Sequence, residues 1–182
     1  MTVSLHTERL LLRPWCHADL APFAAMSADP AVMEFLAPLA EPGACEAWAA
    51  RLQAHWREHG FGRWVVELPG TASFVGLVGL AMIPYRAHFT PAVEIAWRLA
   101  RPHWGCGYAA EAARAALDYG FDELGLGEIV AVTVPANGRS RRVMERLSMT
   151  RDPADDYEHP NLPEGPLKRH VLYRLRNPKA AA

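Results

Sequence analysis

The stretch Glu94-Ile-Ala-Trp-Arg-Leu-Ala-Arg-Pro-His-Trp-Gly-Cys-Gly-Tyr-Ala-Ala-Glu-Ala-Ala113 decides how the rest of the chain is read. An apolar strand runs into a short loop that closes on Trp104-Gly-Cys-Gly-Tyr-Ala109, and an alanine-rich helix follows. A glycine loop before a helix leaves backbone N–H groups free at the positive end of the helix dipole. Those are the ingredients of a phosphate cradle.

Working outward, Ala109, Ala112, Ala113, Ala116, Leu117 and Gly120 share one helical face, small enough to pack close on a sheet. Residues 128–134 read as a buried strand. Residues 137–147 read as a helix with an inner face of Ser140, Val143, Met144 and Leu147. A polar, Pro-rich loop over 152–166 leads to a last strand at 167–175. Upstream, residues 7–14 read as a first strand with Leu10 and Leu12 on one face, ended by Pro14. A short helix starts near Asp19, and an amphipathic one carries Cys45, Trp48, Leu52, Trp56 and His59 up to Gly60. Strands over 61–68 and 74–83 form a hairpin through residues 69–73. Gly76 and Gly79 inside the second strand mark a bulge or a close backbone approach. The sum is one α+β domain with a mixed sheet over residues 7–176, and residues 177–182 as a frayed tail.

Composition narrows the function. With 51% hydrophobic and 21% charged residues, the 182-residue chain has an ordinary globular make-up. A formal net charge of -1 provides no electrostatic footprint for nucleic acid or an anionic membrane. Cys16, Cys45 and Cys106 are odd in number and lack metal-ligand spacing, so no metal is expected and a reducing, cytoplasmic setting fits. No run reaches membrane-spanning length.

Four segments, in order, resemble the GNAT superfamily of N-acetyltransferases, and best the branch of RimJ/RimL-type ribosomal-protein N-terminal acetyltransferases. They are Thr7-Glu-Arg-Leu-Leu-Leu-Arg-Pro14, residues 94–99 with 104–112, Asn137-Gly-Arg-Ser-Arg-Arg-Val-Met-Glu-Arg-Leu147, and His170-Val-Leu-Tyr173. The resemblance implies a three-layer fold with a mostly antiparallel seven-stranded sheet, splayed between its fourth and fifth strands, here residues 92–99 and 128–134. It implies that acetyl-CoA enters the splay as a co-substrate, its pantetheine arm along Trp97, Arg98 and Leu99. The pyrophosphate would lie on Trp104, Gly105, Cys106, Gly107, Tyr108 and Ala109, with Asn137, Ser140 and Met144 lining the other side. The family loop has Gln or Arg where this chain has Trp104, and often a basic residue where it has Cys106, so a mostly backbone cradle is expected.

The implied chemistry is direct transfer of the acetyl group to a primary amine, a protein N-terminal α-amine or a small-molecule amine, by a monomer or homodimer. A backbone N–H near Leu99 would stabilise the oxyanion. Three positions remain open as catalytic groups: Ser140 near the cofactor sulfur, Glu94 at the head of the central strand, and Glu158, beside His159, in the loop before the last strand. The Tyr acid common in the family, seven residues after the Asn, is Met144 here. Two other readings stay beside this one. A CoA-binding module without turnover fits the substituted loop and the missing Tyr. A nicotinamide-dependent oxidoreductase fits the glycine turn alone, but Arg101-Pro-His103 separates strand from turn and the next strand ends at Val134-Pro135 without an acid.

Overall fold

The computed structural model describes residues 3–39 and 41–179. Its frame is one mixed sheet of β1 (Leu5–His6), β2 (Leu11–Arg13), β3 (Arg63–Leu68), β4 (Ala72–Met82), β5 (Val93–Leu99), β6 (Glu128–Thr133), β7 (Thr150–Arg151), β8 (Tyr157–Glu158) and β9 (Arg169–Arg176). The order is β1-β2-β3-β4-β5-β6-β9-β7, with β8 added on β9. Two-residue edge pairings raise the count above seven; the mixed, open sheet is the one the resemblance implies. Helices α1 (Leu20–Ala28), α2 (Pro30–Met33) and α3 (Ala44–His59) precede β3. α4 (Tyr108–Asp122) joins β5 to β6, and α5 (Gly138–Arg146) follows β6. No helix among the described residues is long and apolar enough to cross a membrane.

One pairing positions the site. Among the described residues β5 and β6 are the only parallel neighbours on the sheet path, and they are joined at a single register position, Glu94 opposite Val130. Beyond it they diverge, while β5 stays paired to β4 along its whole length. The sheet therefore opens as a V with Glu94 at its apex. α4 covers one face with its small residues: Ala112, Ala113 and Ala116 are fully buried, and a Cβ on Gly120 would lie 2.7 Å from the Ile129 side chain. α1 and α3 cover the other face.

The close approach anticipated at the strand glycines is real. A Cβ on Gly79 would lie 2.5 Å from the Gly62 carbonyl and 2.7 Å from Arg63 Cα, and one on Gly76 would collide with the Arg98 carbonyl. The bulge falls elsewhere, between Val66 and Leu68.

Three segments differ from the sequence reading. Residues 7–14 are not one strand: Thr7 and Leu10 bond reciprocally through backbone and hydroxyl, so the chain turns there and both β1 and β2 result. The stretch 152–166 is not wholly loop, since Tyr157 and Glu158 pair with His170 and Arg169. Of the expected tail, Asn177 donates from its backbone to Gly127 O (2.9 Å) and from its amide to Leu126 O (3.1 Å), and Lys179 pairs with Asp122 at 2.7 Å. Residues 180–182 lie outside the described residues.

Candidate acetyl-CoA and amine site

The glycine loop has the geometry of a cradle. Gly105 and Gly107 adopt left-handed φ values of 77° and 83°, and Gly107 is the N-cap of α4. Only glycine enters this region without strain, and the turn delivers the chain into the helix with its first N–H groups pointing outward. The first backbone acceptor inside the helix is used by Glu111, whose N–H reaches Gly107 O. The carboxylate of Glu111 turns away from the cradle: it accepts from Thr7 Oγ1 (2.6 Å), Arg9 N (2.9 Å) and Arg9 Nε (2.7 Å). Arg9 in turn donates to Cys106 O at 3.1 Å and lies 4.8 Å from the Tyr108 ring centroid. The Thr7-Glu-Arg9 motif thus staples the loop from outside the sheet and brings a guanidinium beside it. Nothing local in the sequence signals this, because the partners are about a hundred residues apart.

Trp104 has a structural task. Its indole N–H donates to Leu99 O at 2.8 Å, tying the loop to the end of β5. The Arg139 guanidinium, on α5, stacks 4.7 Å from the Trp104 ring and pairs with Glu34 at 2.6 Å. The two walls of the V touch through this stack. Arg9 and Arg139 therefore set two cationic groups around a loop whose own side chains carry none.

The β5 edge faces the opening. Ala100 N–H bonds to Val75 O, and Ile83 N–H to Ala92 O, so the even-numbered residues of β5 use their backbone groups on β4. By the alternation of an antiparallel ladder, the N–H groups of Trp97 and Leu99 point the other way, toward the splay. Arg98 departs from the expectation that it lines the cofactor arm. Its backbone turns to β4, and its side chain lies on the α1/α3 face, 6.0 Å from the Phe23 ring and 5.7 Å from that of Trp48.

Across the opening, Asn137 caps α5: its Oδ1 accepts from Ser140 N at 3.1 Å and its Nδ2 donates to Thr133 Oγ1 at 3.0 Å. Its second amide hydrogen has no partner among the described residues. Ser140 is half-buried, and its hydroxyl makes no hydrogen bond among the described residues. Met144 is only 1% exposed and belongs to the main core, so it offers no surface to the cleft, a correction to its expected place in the cofactor lining.

Among the acid candidates the structure sorts clearly. Glu94 is ion-paired with Arg63 Nη2 at 2.5 Å, its side chain 16% exposed, rather than free at a strand end. Asp155 is held by Arg174 at 2.8 Å and Asp156 by Arg151 at 2.5 Å, and these hydrogen bonds keep both carboxyls below the ordinary range. Glu158 is exposed, opposite exposed Arg169, while its neighbours Tyr157 and His159 turn inward. Tyr157 shares a 2.6 Å hydrogen bond with Tyr85, and His159 lies 4.3 Å from the Tyr85 ring and 5.2 Å from that of His170. Burial pushes the Tyr85 phenol up to about 12, with the Glu94 charge adding to the rise, and drives Tyr157 up as well. Burial likewise lowers His159 and His170, favouring neutral imidazoles. The sequence reading did not single out Tyr85 or Tyr157: Tyr157 stands within the acidic loop, but Tyr85, 72 residues away, carries no local signal. No cluster of three or more potential metal ligands occurs among the described residues.

Comparison with known proteins shows the family of the chain. The acetyltransferase (GNAT) domain family matches residues 9–150. The Bacillus subtilis protein YkkB is 36% identical over 146 residues, 80% of this chain and 84% of its own. The FsC-acetyl coenzyme A-N(2)-transacetylase of Aspergillus fumigatus is 34% identical over 154 residues, 81% of this chain and 65% of that enzyme. An acetyltransferase crystal structure from Agrobacterium tumefaciens superposes with a TM-score of 0.78 at 29% identity, covering 97% of this chain and 95% of that one.

Proposed function

Because the chain belongs to the GNAT acetyltransferase family and is an acetyl-CoA-dependent N-acetyltransferase, we propose that its cleft runs direct transfer to a primary amine on the α1/α3 side of the V. The observation that carries this reading is the parting of β5 and β6 beyond Glu94, which leaves the Trp97 and Leu99 N–H groups facing an opening flanked by the glycine loop and Asn137.

In this assignment the pyrophosphate rests on the N–H groups at the start of α4, with Arg9 and Arg139 as flanking charges. The pantetheine amides pair with the β5 edge as an added strand would. The leftover Asn137 amide hydrogen serves the same arm. The Leu99 N–H receives the charge that develops on the thioester oxygen. Holding both substrates in one cleft converts a bimolecular step to a local one, worth up to roughly 7–11 kcal/mol.

Glu94, at the apex, receives the amine proton through a chain of waters that spans the five strand residues, roughly 16 Å, between it and Leu99. A carboxylate is a modest base, which favours an α-amine of pKa about 8 over a lysine amine of about 10.4. The attacking nitrogen forms the amide bond while the C–S bond breaks, and the electrons leave on sulfur. A thiol of pKa about 8.5 needs little acid help, which Ser140 Oγ supplies. Glu158, on the outward face of its strand pair, stays outside this route.

Initial-rate measurements of CoA-thiol release test the reading, with acetyl-CoA and a panel of α-amines, polyamines and lysine peptides varied together. The expected result is amine-dependent release with intersecting reciprocal lines, the mark of a ternary complex. Parallel lines would mean an acetyl-enzyme intermediate and would overturn direct transfer.

A further inference from the structure

We propose that the acceptor amine carries a carboxylate, and that Arg98, seated beside Arg63 under α1 and α3, is its receptor. The inference rests on the reading that this face of the V takes the acceptor. β3, β4 and β5 pair so that Arg63, Gly79 and Ala96 stand in one row across the sheet. Gly79 and Ala96 are too small to fill that row, so the Arg63 side chain can pass diagonally to Glu94, which it reaches at 2.5 Å. Arg98 lies next along β5 on the same face.

This part of the face holds two guanidinium groups and one carboxylate, and Arg63 alone engages that carboxylate. Among the described residues Arg98 has no acidic partner, and its Nη1 is shut off from solvent without a hydrogen bond; Arg63 Nε is in the same condition. The neighbouring surfaces are aromatic. Trp48 lies 6.0 Å from the Arg63 guanidinium and 5.7 Å from that of Arg98, and Phe23 lies 6.0 Å from Arg98. Burial, with repulsion from Arg63, lowers Arg98 to about 10, so it stays charged at neutral pH. Cation–π contact at these distances offsets only part of the lost hydration.

A buried guanidinium with an unmatched charge is a poor structural element and a good receptor. The unmatched charge is a single one, which selects a monoanion. The planar fork of arginine meets a carboxylate with two parallel hydrogen bonds, and the aromatic walls exclude the water that would compete. The acceptor is then a small amino-carboxylate rather than a polyamine, whose cations this pair would repel.

The test uses the full chain, with and without CoA, and reads Trp fluorescence and thermal shift, since Trp48 abuts Arg98. The probes are hydrocinnamate, hydrocinnamyl alcohol, phenethylamine, acetate and inorganic phosphate. A carboxylate should bind at least about 10-fold tighter than the alcohol of the same skeleton. Arg98→Met should erase that difference. Exchanging an unpaired buried cation for an apolar side chain is neutral or stabilising, so this variant should fold, and an unchanged or raised Tm checks that it has. Arg98→Lys should restore part of the preference. Equal binding of acid and alcohol by the natural chain would overturn the proposal, as would tighter binding of phosphate or phenethylamine, or carboxylate binding that survives in Arg98→Met. CoA affinity read in the same samples keeps the two readings apart: loss of CoA binding would strike the acetyl-CoA reading and leave the carboxylate result standing.

Discussion

Glu94→Gln is expected to lower kcat by about 100- to 1,000-fold while leaving acetyl-CoA affinity within about threefold, the range typical of losing a positioned general base. The amide keeps the size of the carboxylate and still offers an oxygen to Arg63, so the 2.5 Å contact survives in weakened form and the apex of the V stays in place. What is lost is the capacity to hold a proton. A pH profile separates that from mere misplacement. In the variant the rate should climb with pH until the amine itself deprotonates, whereas misplacement would depress the whole profile evenly. Steady-state kinetics with a saturating amine read both. A variant as fast as the natural enzyme at neutral pH would remove Glu94 from the chemistry and leave proton removal to water or to His159.

The largest stability effect is expected at Asp19. This carboxylate is 2% exposed and accepts from Arg13 Nη1 (2.9 Å), Arg13 Nη2 (2.7 Å) and Cys16 N (2.8 Å). Arg13 also donates to Glu67 at 2.8 Å and Ser73 O at 2.8 Å, so one ion cluster joins the entry to α1 with β2, β3 and the start of β4. Asp19→Ala leaves the Arg13 guanidinium with Glu67 as its one remaining carboxylate and should cost about 3 kcal/mol. For a domain of this size that is a fall in Tm of roughly 10 °C, read by calorimetry. The pH dependence follows from the same contacts. Burial alone would raise the Asp19 carboxyl, but the Arg13 and Cys16 bonds outweigh it and hold the group below its ordinary 3.8. The unfolded chain therefore binds more protons, so the stabilisation is present above that value and is lost as pH falls below it. The variant should show a shallower loss of stability in that acid window. An unchanged Tm, or an unchanged acid limb, would contradict the account.

How much of this could be read from the chain divides along physical lines. Local features were legible. The glycine loop requires left-handed φ at Gly105 and Gly107, Asn137 has the spacing of an N-cap, and the alanines of α4 announce a helix pressed on a sheet. Gly76 and Gly79 were legible as a bulge or a close approach, since glycine inside a strand leaves room for a neighbouring backbone, and the structure shows the close approach. Long-range pairings were not. The Arg9–Glu111 staple and the Arg63–Glu94 pair join strands and helices whose partners no local pattern can select. Side-chain direction was the other gap. Arg98 faces α1 and α3, Glu158 faces outward and Met144 faces the core, each settled by a strand register or helix rotation that a one-residue shift would invert.

A calorimetric titration of the intact protein with acetyl-CoA and, separately, with NAD is the sharpest test of the cofactor. One acetyl-CoA should bind per chain, weakened by Gly107→Val because the cradle needs the left-handed turn there, and NAD should give no heat. Binding of NAD with no binding of acetyl-CoA would contradict the acetyl-CoA reading.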